Sequence, residues 1–173
     1  MTCNIRPWRL KDADDLASAL NNKKILDNLR DGLPFPYTKK DAISYIDAML
    51  NADKDKTFPF AITIDDKVIG SIGVFRMENI HSRSGEIGYY IAEPYWGIGL
   101  GTSAVQQICR FIFSTTDIIR IFAEPFSRNT ASCRILEKSG FVKEGIMRKN
   151  AFKNGVFEDM TLYALIKNNN TIA

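Results

Sequence analysis

Histidine is almost absent from this 173-residue chain, His81 being the only one. That leaves little material for a histidine metal cluster, or for Ser-His-Asp and Cys-His mechanisms. A general base is therefore to be sought among carboxylates or in a chain of waters. Cysteine is scarce as well. Cys3, Cys109 and Cys133 are odd in number and lack the short spacings of thiolate metal sites, so neither a disulfide framework nor a zinc knuckle is indicated and no metal is expected. A reducing cytoplasm is the expected compartment. Long apolar runs are missing. The longest charge-free stretch, Pro94 to Cys109, is broken by Gly97, Gly99, Gly101, Gln106 and Gln107 and is too short to cross a bilayer. Arg6, Arg9, Lys11 and Asp12 fall within the first dozen residues, which argues against a secretory signal. A strong charge of one sign is also lacking: 23 basic and 20 acidic side chains leave +3, too weak a field to expect a nucleic-acid partner.

What is present is an ordinary globular composition, 45% hydrophobic and 25% charged, at the length of one domain. We expect a single domain over residues 1–173, with residues 168–173 a frayed polar tail. Asn4 to Trp8 suits a short strand. Asp12 to Leu20 repeats apolar residues at helical spacing. Gly32 to Tyr37 holds two prolines and reads as a loop with exposed aromatics. Thr38 is placed to cap a helix to about Asn51. Phe58 to Ile64 and Val68 to Arg76 read as a hairpin about Asp65-Asp66-Lys67, and Ser84 to Ile91 as the next strand. A glycine-rich turn leads to a helix from Thr102 to Ser114 and a strand from Ile118 to Ala123. From Glu86 to Ala123 this makes one right-handed parallel βαβ unit. Asn129 caps another helix ending at Ser139-Gly140, and strands near Phe141 to Arg148 and Phe157 to Ile166 flank Lys153-Asn154-Gly155.

The turn Trp96-Gly97-Ile98-Gly99-Leu100-Gly101-Thr102 sets three alternate glycines between a strand and a helix, where first-turn amides lack partners and the helix dipole is positive. That is a cradle for an anion. With no lysine or arginine in the stretch, a phosphate there is held by backbone N–H groups, the missing Cβ atoms permitting close approach. The alternative is a tight turn whose glycines serve packing alone. Gly99-x-Gly101-x-x-Ala104 also fits a dinucleotide fingerprint. However, strands in hairpin order precede it and only one crossover follows, unlike a dinucleotide fold. No Gly-Lys-Ser/Thr ends the turn, so a Walker loop is absent.

The chain resembles the GNAT superfamily of acyl-CoA-dependent N-acetyltransferases over essentially its whole length. Trp96 to Gly101 is similar to the family's pyrophosphate loop, with Trp96 in the usual Gln/Arg place. Asn129 to Phe141 is similar to its Asn-capped helix running to Gly-Phe. Leu33 to Thr38, Glu86 to Tyr90, Ala123 to Phe126 and Glu144 to Lys149 resemble the ribosomal-protein N-terminal (Rim-type) acetyltransferase branch. The resemblance implies an α+β fold. Its sheet is mixed, mostly antiparallel and twisted, with about seven strands, one parallel βαβ crossover and about four helices. It implies acetyl-CoA as the carrier, held by the amides of Gly97, Ile98, Gly99, Leu100, Gly101 and Thr102, by main-chain groups of Tyr90 and Ile91, and by Asn129. It also implies a homodimer, common in that branch.

Acetyl transfer to an amine needs a neutral nucleophile, support for a developing oxyanion and a proton for the departing thiolate. At pH 7, deprotonation costs about 4.6 kcal/mol for a lysine and about 1 kcal/mol for an α-amine, so a strong base matters less for N-termini. Glu86, entering the glycine turn, is the candidate base or water-orienting group; the alternative is a cross-strand charge. The tyrosine that many GNAT enzymes use as acid is replaced by Leu136, and the branch resemblance points instead to Ser132. Cys133 has no histidine to activate it and reads as packing. The expected function is transfer from acetyl-CoA to a primary amine, on a protein N-terminus or a small molecule, by direct attack in a ternary complex. Two rivals stay open: a GNAT-fold sensor that binds acyl-CoA without turnover, and a dinucleotide oxidoreductase.

Overall fold

The computed structural model describes residues 2–168. Of the tail expected to fray, residues 169–173 lie outside the described residues. The strands are β1 (Asn4–Arg6), β2 (Thr57–Ile64), β3 (Lys67–Arg76), β4 (Ser84–Ile91), β5 (Arg120–Ala123), β6 (Val142–Lys153) and β7 (Val156–Ile166). The helices are α1 (Ala13–Leu20), α2 (Lys23–Leu26), α3 (Lys39–Leu50), α4 (Leu100–Thr115) and α5 (Thr130–Lys138). All seven strands form one sheet in the order β1-β2-β3-β4-β5-β7-β6, and β4–β5 is its parallel pair. This is the expected mixed, mostly antiparallel α+β sheet with one crossover. The additional helix is α2, a single turn capped by Asn22 Oδ1 accepting from Lys24 N–H. At four residues it is too short for an amphipathic period to show in sequence.

Local chemistry explains the turns. Asp65 and Asp66 both adopt positive φ (47° and 68°) at the β2–β3 hairpin, and Asn154-Gly155 does the same (51° and 80°) at β6–β7. Two left-handed residues give the turn whose twist matches paired strands, and Asp, Asn and Gly bear that conformation most readily. Pro59 sits within β2 because β1 covers only Ala61 to Thr63 of its free side, so no ladder bond is lost where the proline lies.

The sheet separates two cores. On one face α4 and α5 bury Ile108, Ile112 and Leu136 completely against Ile72, Val74 and Ile121. On the other, α1 and α3 close over Trp8, Leu16, Ile46 and Ala61. Leu136 is therefore a core residue, fully shielded from solvent. Cys109 is buried among apolar neighbours, which pushes its thiol up to about 12. Burial likewise raises the Cys133 thiol. Both cysteines are held in the inert thiol form.

Candidate active site

β4 and β5 begin as paired strands and then part. Their register runs from Ser84↔Arg120 to Glu86↔Phe122 and goes no further, β5 ending at Ala123 while β4 continues to Ile91. Which amides face the opening follows from the other edge of β4. Met77 N–H donates to Ser84 C=O and Ala92 N–H to Ile69 C=O, so the hydrogen-bonded pairs on β3 include Gly88 with Gly73 and Tyr90 with Ser71. The main-chain groups of Tyr89 and Ile91 point the opposite way, into the gap. The expectation that Tyr90 offers its N–H there is corrected: the Tyr90 amide belongs to the β3 ladder, and Tyr89 supplies the second amide beside Ile91.

Trp96 closes the far end of the gap. Its indole N–H donates to the Ile91 carbonyl at 2.6 Å, pinning the last residue of β4 to the turn that follows. Gly97 and Gly99 then take left-handed conformations (φ 79° and 84°), and a Cβ on either would meet nothing within 4 Å. Gly99 is the N-cap of α4 and has no side chain to offer its amides. Ser103 N–H returns to Gly99 C=O, leaving the amides of Leu100, Gly101 and Thr102 without a helical partner. An uncapped end of a 16-residue helix, free of acidic residues in its first turn, favours an anion. Gly101 has a different task. A Cβ there would lie 2.6 Å from Ile135 Cδ1, so it lets α4 pack against α5.

Asn129 caps α5 by accepting from Ser132 N–H at 3.2 Å. The Ser132 hydroxyl lies 2.9 Å from the Tyr89 hydroxyl. Ser132 lines a cleft of about 380 Å³ that runs through the gap to the opposite face of the sheet, where Glu86 stands. Thus Glu86 and Ser132 border one opening from its two sides. Gly73 on β3 and Gly88 on β4, paired across the strands, form part of the wall near Glu86; a Cβ on Gly88 would meet nothing within 4 Å, whereas one on Gly73 would meet the Phe75 ring at 3.3 Å.

Burial raises the Glu86 carboxyl above the ordinary glutamate range; the neighbouring Arg30 guanidinium opposes that rise and the Glu124 carboxylate adds to it. Arg30 forms an ion pair with Glu86 from the segment after α2. That segment is held over the cleft from the far end of the sheet. Arg128 donates to Asn28 Oδ1 and Asp27 C=O, both at 2.7 Å, and Lys153 pairs with Asp31 at 2.7 Å. Among the described residues, no group of three or more His, Cys, Asp or Glu side chains is placed to hold a metal ion.

Sequence reasoning named Glu86 and Ser132, which line one cleft, and the glycine turn and Asn129, which start α4 and α5. It missed the Tyr89 amide, which strict alternation along β4 would have revealed once one ladder bond was known. Gly88 inside a strand was a readable sign of open space. Arg30 carried no signal, since it belongs to no local pattern, and Glu124 lay within the Ala123 to Phe126 resemblance without a role assigned to it.

A sheet opened between its one parallel pair, with an uncapped helix at the mouth, is the architecture of GNAT acetyltransferase structures. Ribosomal-protein-S5-alanine acetyltransferase from Vibrio fischeri matches with a TM-score of 0.86 at 24% identity, over 96% of this chain and 94% of that one. RimJ from Mycobacterium smegmatis in complex with CoA-disulfide matches with 0.85 at 24% identity, over 95% and 81%. At such identity the likeness is one of fold. In sequence, the chain is 37% identical over 116 residues to the probable N-acetyltransferase YjcK of Bacillus subtilis (strain 168), a match covering 66% of this chain and 64% of YjcK. Residues 3–142 match the acetyltransferase (GNAT) domain family. The chain belongs to that family.

Proposed function

We propose that this protein is an acetyl-CoA-dependent N-acetyltransferase acting on a primary amine by direct attack in a ternary complex. The observation that carries the reading is the two-sided gap, with unpaired amides and an uncapped helix along one part and a raised carboxyl at the other. The residues fit the carrier. Amides from Gly97 to Thr102 suit a diphosphate, and the open space at Gly97 and Gly99 leaves room for its oxygens. Asn129 has a side-chain amide to spare beyond its cap bond. Bound there, acetyl-CoA supplies an activated acyl carbon.

The chain's own groups do the rest. Tyr89 and Ile91 N–H groups point into the gap where a thioester oxygen gains charge, and one such donor is worth about 3 kcal/mol when it strengthens in the transition state. Glu86 takes the proton of the attacking amine, directly or through a water, and its raised carboxyl makes it a better base near neutrality than an exposed glutamate. Ser132 faces the departing sulfur as a hydrogen-bond donor. The acceptor is a protein N-terminal α-amine, a reading supported by the acceptor named for the Vibrio fischeri enzyme and by the lower cost of deprotonating such amines.

The test is transfer of isotope-labelled acetyl from acetyl-CoA to a panel of N-terminal peptides and small amines. Labelled product from a peptide acceptor, with kcat reduced about 100-fold in Glu86→Gln, is the expected result. Saturable acetyl-CoA binding with no product from any acceptor would instead make the protein a coenzyme sensor.

A further inference from the structure

A serine inside a helix ordinarily turns its hydroxyl back onto the carbonyl one turn earlier. This chain follows that habit inside α3 and α4, where Ser44 donates to Lys40 C=O at 3.0 Å and Thr115 to Phe111 C=O at 2.7 Å. Ser132 does not. Its hydroxyl reaches across the gap to the Tyr89 hydroxyl at 2.9 Å, and the same phenol lies 3.2 Å from the Ser132 carbonyl. A single phenolic hydrogen thus faces two acceptors on one residue. If it goes to the carbonyl, the serine hydrogen is consumed by the phenol oxygen and the pair is closed on itself. If it goes to Oγ, the serine hydrogen must point elsewhere, and the cleft is where Ser132 is open.

We propose that Tyr89 is a positioning residue for Ser132, its hydroxyl occupying Ser132 Oγ as a donor so that the serine hydrogen is directed at the leaving sulfur. The proposal rests on the acetyltransferase reading above. As the carbon–nitrogen bond forms, the carbon–sulfur bond breaks with its electron pair going to sulfur. Ser132 O–H donates to that charge and Tyr89 O–H donates to Ser132 Oγ, neither giving up its proton. Solvent then protonates the thiolate, and the amine proton taken by Glu86 returns to solvent, so protons balance over the turnover. Burial raises the Tyr89 phenol far above the ordinary tyrosine value, which keeps it a donor throughout. Leu136, fully buried, offers no competing group.

The experiment titrates the thiol of coenzyme A bound to the protein, followed by thiolate ultraviolet absorbance, in wild type, Tyr89→Phe, Ser132→Ala and the double variant. Thermal melts of each confirm folding, and calorimetry gives coenzyme A affinity. We expect the bound thiol to titrate about one pH unit lower in wild type than in Tyr89→Phe, with affinity at pH values where the thiol is protonated within about twofold. In the Ser132→Ala background, Tyr89→Phe should produce no further shift, because its effect passes through the missing hydroxyl. Acetyl transfer by Tyr89→Phe should fall about tenfold in kcat with little change in KM. An unchanged thiol titration in Tyr89→Phe, or equal shifts in both backgrounds, would overturn the positioning role. Failure of the underlying reading would show differently, as wild type that binds no coenzyme A or transfers no acetyl group.

Discussion

Glu86, proposed above as the base, has a carboxyl whose behaviour is set by burial and by two charged neighbours. Burial and Glu124 push its carboxyl upward while Arg30 pulls it down. The base form is lost as pH falls through the raised value, so the acid limb of kcat/KM is expected above that of an exposed glutamate. Removing Arg30 takes away the positive charge that holds the carboxyl down. Arg30→Ala should therefore move the limb to higher pH, which a pH–rate profile measures directly; a limb moving to lower pH would show that Arg30 does not act on Glu86 in solution. Glu86 itself was legible in sequence as a carboxylate in a strand entering a glycine turn. Its regulator was not, because Arg30 lies 56 residues away and only tertiary folding brings them together. Tyr90 illustrates the opposite failure. Its position near the gap was legible, but the direction of its amide depends on which pairs of the β3–β4 ladder carry hydrogen bonds, and no sequence period reports that phase.

At the scale of elements, two helix starts do different work. α4 begins without a side-chain cap, whereas α5 begins with Asn129 bonded to Ser132 N–H. Gly99→Ala places a Cβ in open space but in a left-handed conformation, so it should cost about 1–2 kcal/mol in stability. Chemical denaturation checks this, and acetyl-CoA affinity should fall with it. Asn129→Ala should cost about 1 kcal/mol as a lost cap, while Asn129→Asp should keep that stability. If Asn129 also serves the coenzyme through its side-chain amide, both variants lose affinity. Retained affinity in Asn129→Asp would restrict the residue to capping. Most elements were readable from periodicity and turn chemistry, the Asn-Gly hairpin and the capped α3 and α5 foremost. The one-turn α2 was not, and β6 extends beyond its expected end. Two irregularities in register, Lys143/Gly145 inside the expected strand and Met147/Ala151 across its expected end, break the alternation on which a strand reading depends.

Over the whole molecule, the sheet is a partition that opens between β4 and β5. β3 and β4 stay paired to the end of β4 while β5 leaves β4 after Phe122, so the sheet opens where the candidate site stands. The segment carrying Arg30 is tied to Lys153 at the end of β6 and to Arg128 before α5, which itself pairs with Glu158 on β7, so distant parts of the chain frame the same cleft. Main-chain nitrogens at the start of α4 and along the open edge of β4 are proposed to receive the carrier. Titrating isotopically labelled protein with acetyl-CoA while recording backbone amide resonances tests it residue by residue. The largest shifts are expected at Gly97 to Thr102, Tyr89 and Ile91, with Tyr90 responding less than its two neighbours; saturating spectra in which the α4 start and the β4 edge stay unmoved would contradict this carrier site.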